Sequence, residues 1–520
     1  MKFAFTGVVN YTSGLMKAKN KEVAKLLQKY KEIALLGKIS SVLGWDLNVN
    51  LPTKASEGRA GQLAYLSGVL AEKWQEGEFI DLTQKLKNLK TKKLNIKEQA
   101  VARNINLSGK YYWKVPKEIV VEFSETTSRA YMAWQSAKAQ NKFSEFSPHL
   151  KKLVRLNQIV AKHIGYSDNP YDGLLDLYEP GLTAKFCEGV FRTIQPRLSA
   201  LLTKIKKSKK FSDGTQYVGE HMNYPINDQR QIAVYAIKKM GYDMDAGRMD
   251  VSSHPFTDTL DRFDVRITNR YRTSEFRDSL MIAMHEAGHA LYEQGVSEEY
   301  SYTPLDGGVS LGIHESQSRF WENQVGRSLP FAKFITPILQ AFYPDQLSKV
   351  GHEELYALFN QVFPSLIRTE ADEVTYNLHI ALRFEIENGL VNEKIKVEDL
   401  PEIWRVKMKK YLGIVPKTDR EGVLQDVHWS HGLLGYFPTY TLGNLYAAQF
   451  TQEMKKTIEL ERIVERGELG TILSWLRTNI HKHGSLYMPS ELVKKVTGEA
   501  LNPKYFLKYI DDKYTKLYNL

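Results

Sequence analysis

The sequence FRDSLMIAMHEAGHALYEQG, residues 276–295, holds an HExxH pattern made by His285, Glu286 and His289. Apolar or small residues (Leu280, Ile282, Ala283, Met284, Ala287, Ala290 and Leu291) cover nearly the whole surface of this stretch, which marks a buried helix. Ser274 or Asp278 can cap its start, and Gly295 can end it. Helical residues four apart stack on one face, so both imidazoles reach a single metal ion. Glu286, one position along, projects beside that ion and not onto it. Zinc held by two histidines and a carboxylate keeps one position open for water, and a neighbouring glutamate can take that water's proton. A core helix with hydrogen-bonded histidines is the alternative; it suits a lone histidine better than this pattern.

Downstream, a loop over 301–308 leads to LGIHESQSRFWENQVGRS, where Glu315, Ser318, Arg319 and Glu322 share one helical face. Glu315 arrives in the right order to be a third ligand from the next helix, and Glu322 is its rival. A carboxylate ligand defines a gluzincin-type site, because Gly295 stands where an HExxHxxGxxH extension would carry its third histidine. Residues 367–387, IRTEADEVTYNLHIALRFEIE, are polar on several sides of a helical pattern. Such a helix is either a buried ionic network or the wall of a site; we read a site wall. The segment 422–444, rich in glycine and aromatics, holds His428, His431, Tyr436 and Tyr440, whose donors could stabilise an oxyanion. His481 and His483, two apart near a helix end, suit a structural role better than a second metal site.

Upstream of the metal helix, Val265 and Ile267 alternate with Arg266 and Thr268, a strand signature. A small sheet beside the helix offers an edge that can pair with an extended peptide, although an ordinary hairpin reads the same way. Before that the chain is helical. Apolar residues recur at helical spacing over 21–43; a turn is expected at WDLNVNLP (45–52), and a second helix from Ala55. Pro116 can open a long helix, and Ser147-Pro148 another that Gly165 ends. Further helices are expected near 183–207 and 228–240. The fold class is therefore mainly α, with one small sheet.

The 520 residues can bury a large core, and length alone suggests about three domains. No linker or internal repeat divides the chain, so we expect one domain over 21–520: a helical half (21–240) and a half carrying sheet and site (241–520). Apolar content is 42% with no unbroken apolar run, which argues against a membrane span. A single cysteine, Cys187, excludes an internal disulfide and suits the cytoplasm. Residues 1–20 read as an extension and not as an export signal. The net charge of +11 is spread apart from short runs at 204–210 and 85–97, and no nucleic-acid-binding pattern accompanies it. We expect solvated faces and no nucleic-acid partner.

With these residues assembled, the sequence resembles the thermostable carboxypeptidase (Taq-type) metallopeptidase family. The motifs appear in order: HPF at 254–256, DxRxT at 264–268, HExxH at 285–289, HES-Q at 314–317, IRxxAD at 367–372 and GxxQDxHW at 422–429. The pattern Trp45-Asp46, Pro52, Arg59-Ala60, Gln62 is similar too. The likeness covers about residue 21 to the end. It implies a helical, saddle-like body with a deep groove, a homodimer, and a divalent metal with Glu315 as third ligand. Zinc is the implied ion, with Co2+ also serving. The implied activity is removal of single residues from peptide C-termini with broad tolerance.

The expected mechanism has Glu286 as general base, with His428 and Tyr436 foremost, then His254 and His431, holding the oxyanion. Arg368 is the choice for reading the substrate's free carboxylate, because its planar fork fits one; its alternative partners are Asp372 or Glu373. Tyr440 is a further substrate-binding candidate, and Asp372 is expected to orient a ligand histidine. Two rivals remain: an oligopeptidase or dipeptidase with the same centre, and a non-catalytic peptide- or nucleic-acid-binding protein with structural zinc. Structural zinc prefers thiolates and four protein ligands, and Cys187 is distant in sequence.

Overall fold

A computed structural model describes residues 16–88, 93–211 and 222–520. The first fifteen residues of the extension, and part of the basic run at 85–97, lie outside the described residues. The helical spacing of the first half becomes α1 (Lys21–Val49), α2 (Ser56–Trp74), α3 (Gly77–Asn88), α4 (Ile96–Lys114), α5 (Lys117–Gln140), α6 (Phe143–Ile164), α7 (Pro170–Leu175), α8 (Ala184–Lys207) and α9 (Ile226–Met240). Asn20 caps α1 by accepting from the Glu22 and Val23 amides. Glu98, buried in the first turn of α4, accepts from the Lys19 and Asn20 amides and so pins the entry to α1.

Two expected boundaries move. The turn expected over WDLNVNLP is confined to its end, Asn50–Pro52, because α1 continues to Val49. Trp45 is buried against Phe256, and Asp46 pairs with Arg59 at 2.6 Å, so tertiary contacts override the turn-forming asparagines. Helix α6 starts at Phe143, before Ser147-Pro148, because buried Phe143 and Phe146 anchor its first turns.

The strand signature is realised in a three-stranded sheet of β1 (Met249–Val251), β2 (Thr257–Asp261) and β3 (Asp264–Asn269), in the order β1-β3-β2. β2 and β3 form an antiparallel hairpin, while β1 runs parallel to β3 with Met249 opposite Ile267. Val265 and Ile267 are buried, and Arg266 turns outward to Asp264. The sheet lies against α10 (Arg277–Gly295), where Asn269 donates from Nδ2 to the Ser279 carbonyl at 2.9 Å. Neither Ser274 nor Asp278 caps α10: its N-cap is Phe276, and the Glu275 carboxylate accepts from the Arg277 amide at 2.6 Å. The helix does end at Gly295, whose missing side chain leaves room for His481.

α11 (Leu311–Arg319) packs across α10 and passes directly into a π-helical turn, Phe320–Gly326. Two glycines set the approach. A Cβ on Gly288, between the two HExxH histidines, would lie 2.6 Å from Ser318 Cα; one on Gly443 of the helix Pro438–Met454 would lie 2.7 Å from Glu315 Cβ. The polar stretch at 367–387 becomes mostly the helix Glu373–Val391, buried on nearly every side. Much of it is ionic network and not site wall: Glu373 binds Lys513 at 2.5 Å and Tyr509 at 2.9 Å, and Glu387 accepts from Tyr171 and Trp429. Among the described residues no helix is long and apolar enough to cross a membrane.

Candidate metal centre

His285 and His289 rise from one face of α10, and Glu315 reaches them from α11. Their ligand-capable atoms lie within 4.8 Å of one another. Glu315 Oε2 is 3.3 Å from His289 Nε2 and 3.7 Å from His285 Nε2. Ligands bound tetrahedrally at about 2.0–2.1 Å stand about 3.3 Å apart, so the donor set fits a small divalent cation. Glu322, the rival ligand, is turned to the back: its Oε2 lies 2.8 Å from His285 Nδ1. His289 Nδ1 meets His314 Nδ1 at 2.6 Å. Both histidines therefore spend Nδ1 on a protein partner and present Nε2 to the same point.

Charge around the cluster is ordered by arginine. Arg319 donates to Glu315 Oε1 at 2.7 Å and to Glu322 at 3.2 Å, and Arg327 donates to Glu322 at 3.0 Å. Burial alone would raise the Glu315 carboxyl, but Arg319 and the two imidazoles hold it well below the usual range. Burial pushes His289 down to about 4, against the pull of Glu315, so its imidazole is neutral and free to act as a ligand. Glu286 is buried, and burial raises its pKa. Thr257, on β2, donates to Glu286 Oε2 at 2.6 Å, so the sheet holds this carboxylate beside the histidines. No sequence pattern singled out Thr257.

A second group gathers around Asp426. Arg368 donates from Nε to Asp426 Oδ1 at 2.8 Å and from Nη1 to Tyr376 at 3.1 Å, and Arg383 lies 2.6 Å from Oδ2. The Arg368 partner is thus Asp426, not Asp372 or Glu373. Two guanidiniums on one carboxylate leave a buried excess of positive charge, and the Arg368 Cζ lies over the Tyr440 ring, 5.1 Å from its centroid. Burial would raise Asp426, but both arginines hold it well below an ordinary aspartate. Asp426→Asn should therefore cost about 3–5 kcal/mol at neutral pH. A carboxylate with a depressed folded pKa contributes stability above about pH 3.9, and loses it as pH falls through its folded value. The deficit of the variant should shrink below about pH 4, which urea unfolding across pH measures.

His428 stands next to this group. Its Nε2 is 3.2 Å from the Tyr440 hydroxyl, while its buried Nδ1 has no partner among the described residues. Burial and Arg368 push it down to about 3, so the ring is neutral. Tyr436 packs on His428 and Tyr440, with ring centroids 5.4 Å apart in each case, and is pushed up to about 12 by burial and the charge of Glu315. His254, on the sheet side, keeps part of its ring in solvent, while the protein packed around the rest and the charge of Arg368 lower its pKa. His431 is exposed, and stacks on Tyr131 at 5.1 Å instead of joining the cluster.

Asp372 does not orient a ligand histidine. It is the N-cap of the helix Glu373–Val391, and its carboxylate accepts from the Val374 and Thr375 amides and the Thr375 hydroxyl. A residue so placed spends its acceptors on a helix end, and the partners of the histidines are Glu322 and His314 instead. His481 is buried with Nε2 2.9 Å from Gln317 Oε1, and His483 meets Tyr487 edge-on.

A helical body with a small sheet braced against an HExxH helix is the build of a metallopeptidase. The carboxypeptidase Taq (M32) metallopeptidase model matches residues 25–514. Thermostable carboxypeptidase 1 of Pyrococcus furiosus is 43% identical over 497 residues, covering 95% of this chain and 99% of that protein. Thermostable carboxypeptidase 1 of Thermus thermophilus is 40% identical over 506 residues, covering 95% and 98%. The crystal structure of an M32 carboxypeptidase from Deinococcus radiodurans superposes with a TM-score of 0.92 at 35% identity, covering 96% of this chain and all of that one. The chain belongs to the carboxypeptidase Taq (M32) family: it is a metallocarboxypeptidase, a peptide hydrolase that works with a divalent metal.

Proposed function

We propose that His285, His289 and Glu315 hold a Zn2+ ion, replaceable by Co2+, and that the enzyme releases single residues from peptide C-termini with broad tolerance. The observation that carries this reading is the convergence of two Nε2 atoms and one carboxylate oxygen, with both Nδ1 atoms engaged behind them. The ion supplies Lewis acidity, making water acidic enough to lose a proton near neutral pH. Glu286 accepts that proton and later returns it to the leaving amine; Thr257 keeps its carboxylate aimed. Neutral His428 and the Tyr436 hydroxyl serve as donors to the developing oxyanion. Arg368, fixed by Asp426, meets the substrate's terminal carboxylate with its remaining donors.

The test is metal analysis joined to mass spectrometry of one unmodified peptide, before and after chelation. A ladder of single-residue losses from the C-terminus, stopped by chelation and restored by Zn2+, is expected. Internal cuts, paired losses or chelator-insensitive hydrolysis would overturn it.

A further inference from the structure

His314 precedes Glu315 on α11, so one short helix carries both a candidate ligand and the residue behind another. His314 Nδ1 lies 2.6 Å from His289 Nδ1, and its Nε2 lies 2.8 Å from Glu293 Oε1. Glu293 also accepts from the Gly308 amide at 2.9 Å. The ring is held between His289 and Tyr292, at centroid distances of 4.7 and 5.3 Å. Gly308 has no side chain to intrude, as a Cβ there would lie 2.7 Å from His314 Cδ2. The rotamer of His314 is therefore fixed by packing.

With both rings neutral, these contacts are satisfied in only one way. An ionised Glu293 only accepts, so His314 carries its proton on Nε2 and accepts at Nδ1. His289 must then donate from Nδ1, which leaves its lone pair on Nε2, facing Glu315 and His285. We propose that His314 and Glu293 form a positioning relay that selects the metal-binding tautomer of His289 and sets how tightly the site holds its ion. The relay leaves α10 at His289, crosses to α11, and returns to α10 one turn later at Glu293. His285 has a different arrangement, a single carboxylate anchored by two arginines. The inference rests on the metal reading above.

The experiment measures Zn2+ affinity of metal-free protein by chelator competition, with thermal unfolding of the metal-free forms alongside. In His314→Asn the side-chain amide stands in for Nδ1 and keeps the bond to His289; in His314→Gln it stands in for Nε2 and loses that bond. His314→Gln should weaken Zn2+ binding about 10–100-fold, while His314→Asn stays near the wild type. Glu293→Gln, which changes charge without changing shape, should fall in the same direction as His314→Gln. Equal affinities in all the proteins, or equal losses in the two His314 variants, would overturn the relay. A wild type that binds no stoichiometric Zn2+ would instead overturn the metal reading, and the relay with it.

Discussion

Glu286→Gln should leave bound metal unchanged and lower turnover by about 10²–10⁴-fold. The amide is the same size as the carboxylate, and its Oε1 can still accept from Thr257, which now sits 2.6 Å from Glu286 Oε2. Position is kept and basicity is lost. The candidate ligands and their Nδ1 partners, Glu322 and His314, are untouched. Metal content by mass spectrometry and kcat on one peptide check both halves of the expectation. Substantial retained activity would remove Glu286 from the role of base, and loss of metal would make it part of the cage instead.

Arg368→Ala should cost about 2–5 kcal/mol in kcat/KM for peptides ending in a free carboxylate, and leave residual hydrolysis of amide-blocked peptides where it was. The fold should tolerate the change, because Asp426 keeps Arg383 at 2.6 Å and the pair left behind is neutral. An equal loss on both kinds of peptide would assign Arg368 to structure. Arg368→Lys separates charge from shape: an ammonium restores the charge but not the planar fork that grips Asp426 and a carboxylate together.

The parts of this molecule legible in its sequence are those written in short-range pattern. The apolar surface of 276–295 and the alternation at Val265 and Ile267 each follow from the period of one element, and each element is found where expected. Glu315 and Glu322 could not be separated on pattern alone, since residues seven apart share a helical face. Which of them meets the Nε2 atoms and which an Nδ1 depends on how α11 and the π-helical turn lie across α10. The Nδ1 partners were less visible still: His314 stood inside a quoted motif, but nothing local says that its ring turns to His289. Asp372 was misread because an acid before a helix looks the same whether it caps that helix or reaches elsewhere. The asparagines after Trp45 place a turn too early: the buried indole keeps α1 helical to Val49, and the turn falls at Asn50–Pro52.

Where Gly288 and Gly443 let main chains and the stem of Glu315 touch, no methyl groups stand between them to be reshuffled. Three helices are thus held at contact distance behind the candidate ligands, so the spacing of His285, His289 and Glu315 depends on backbone packing as well as on their own side chains. Any widening of that space by backbone movement would mean parting α10, α11 and the helix Pro438–Met454.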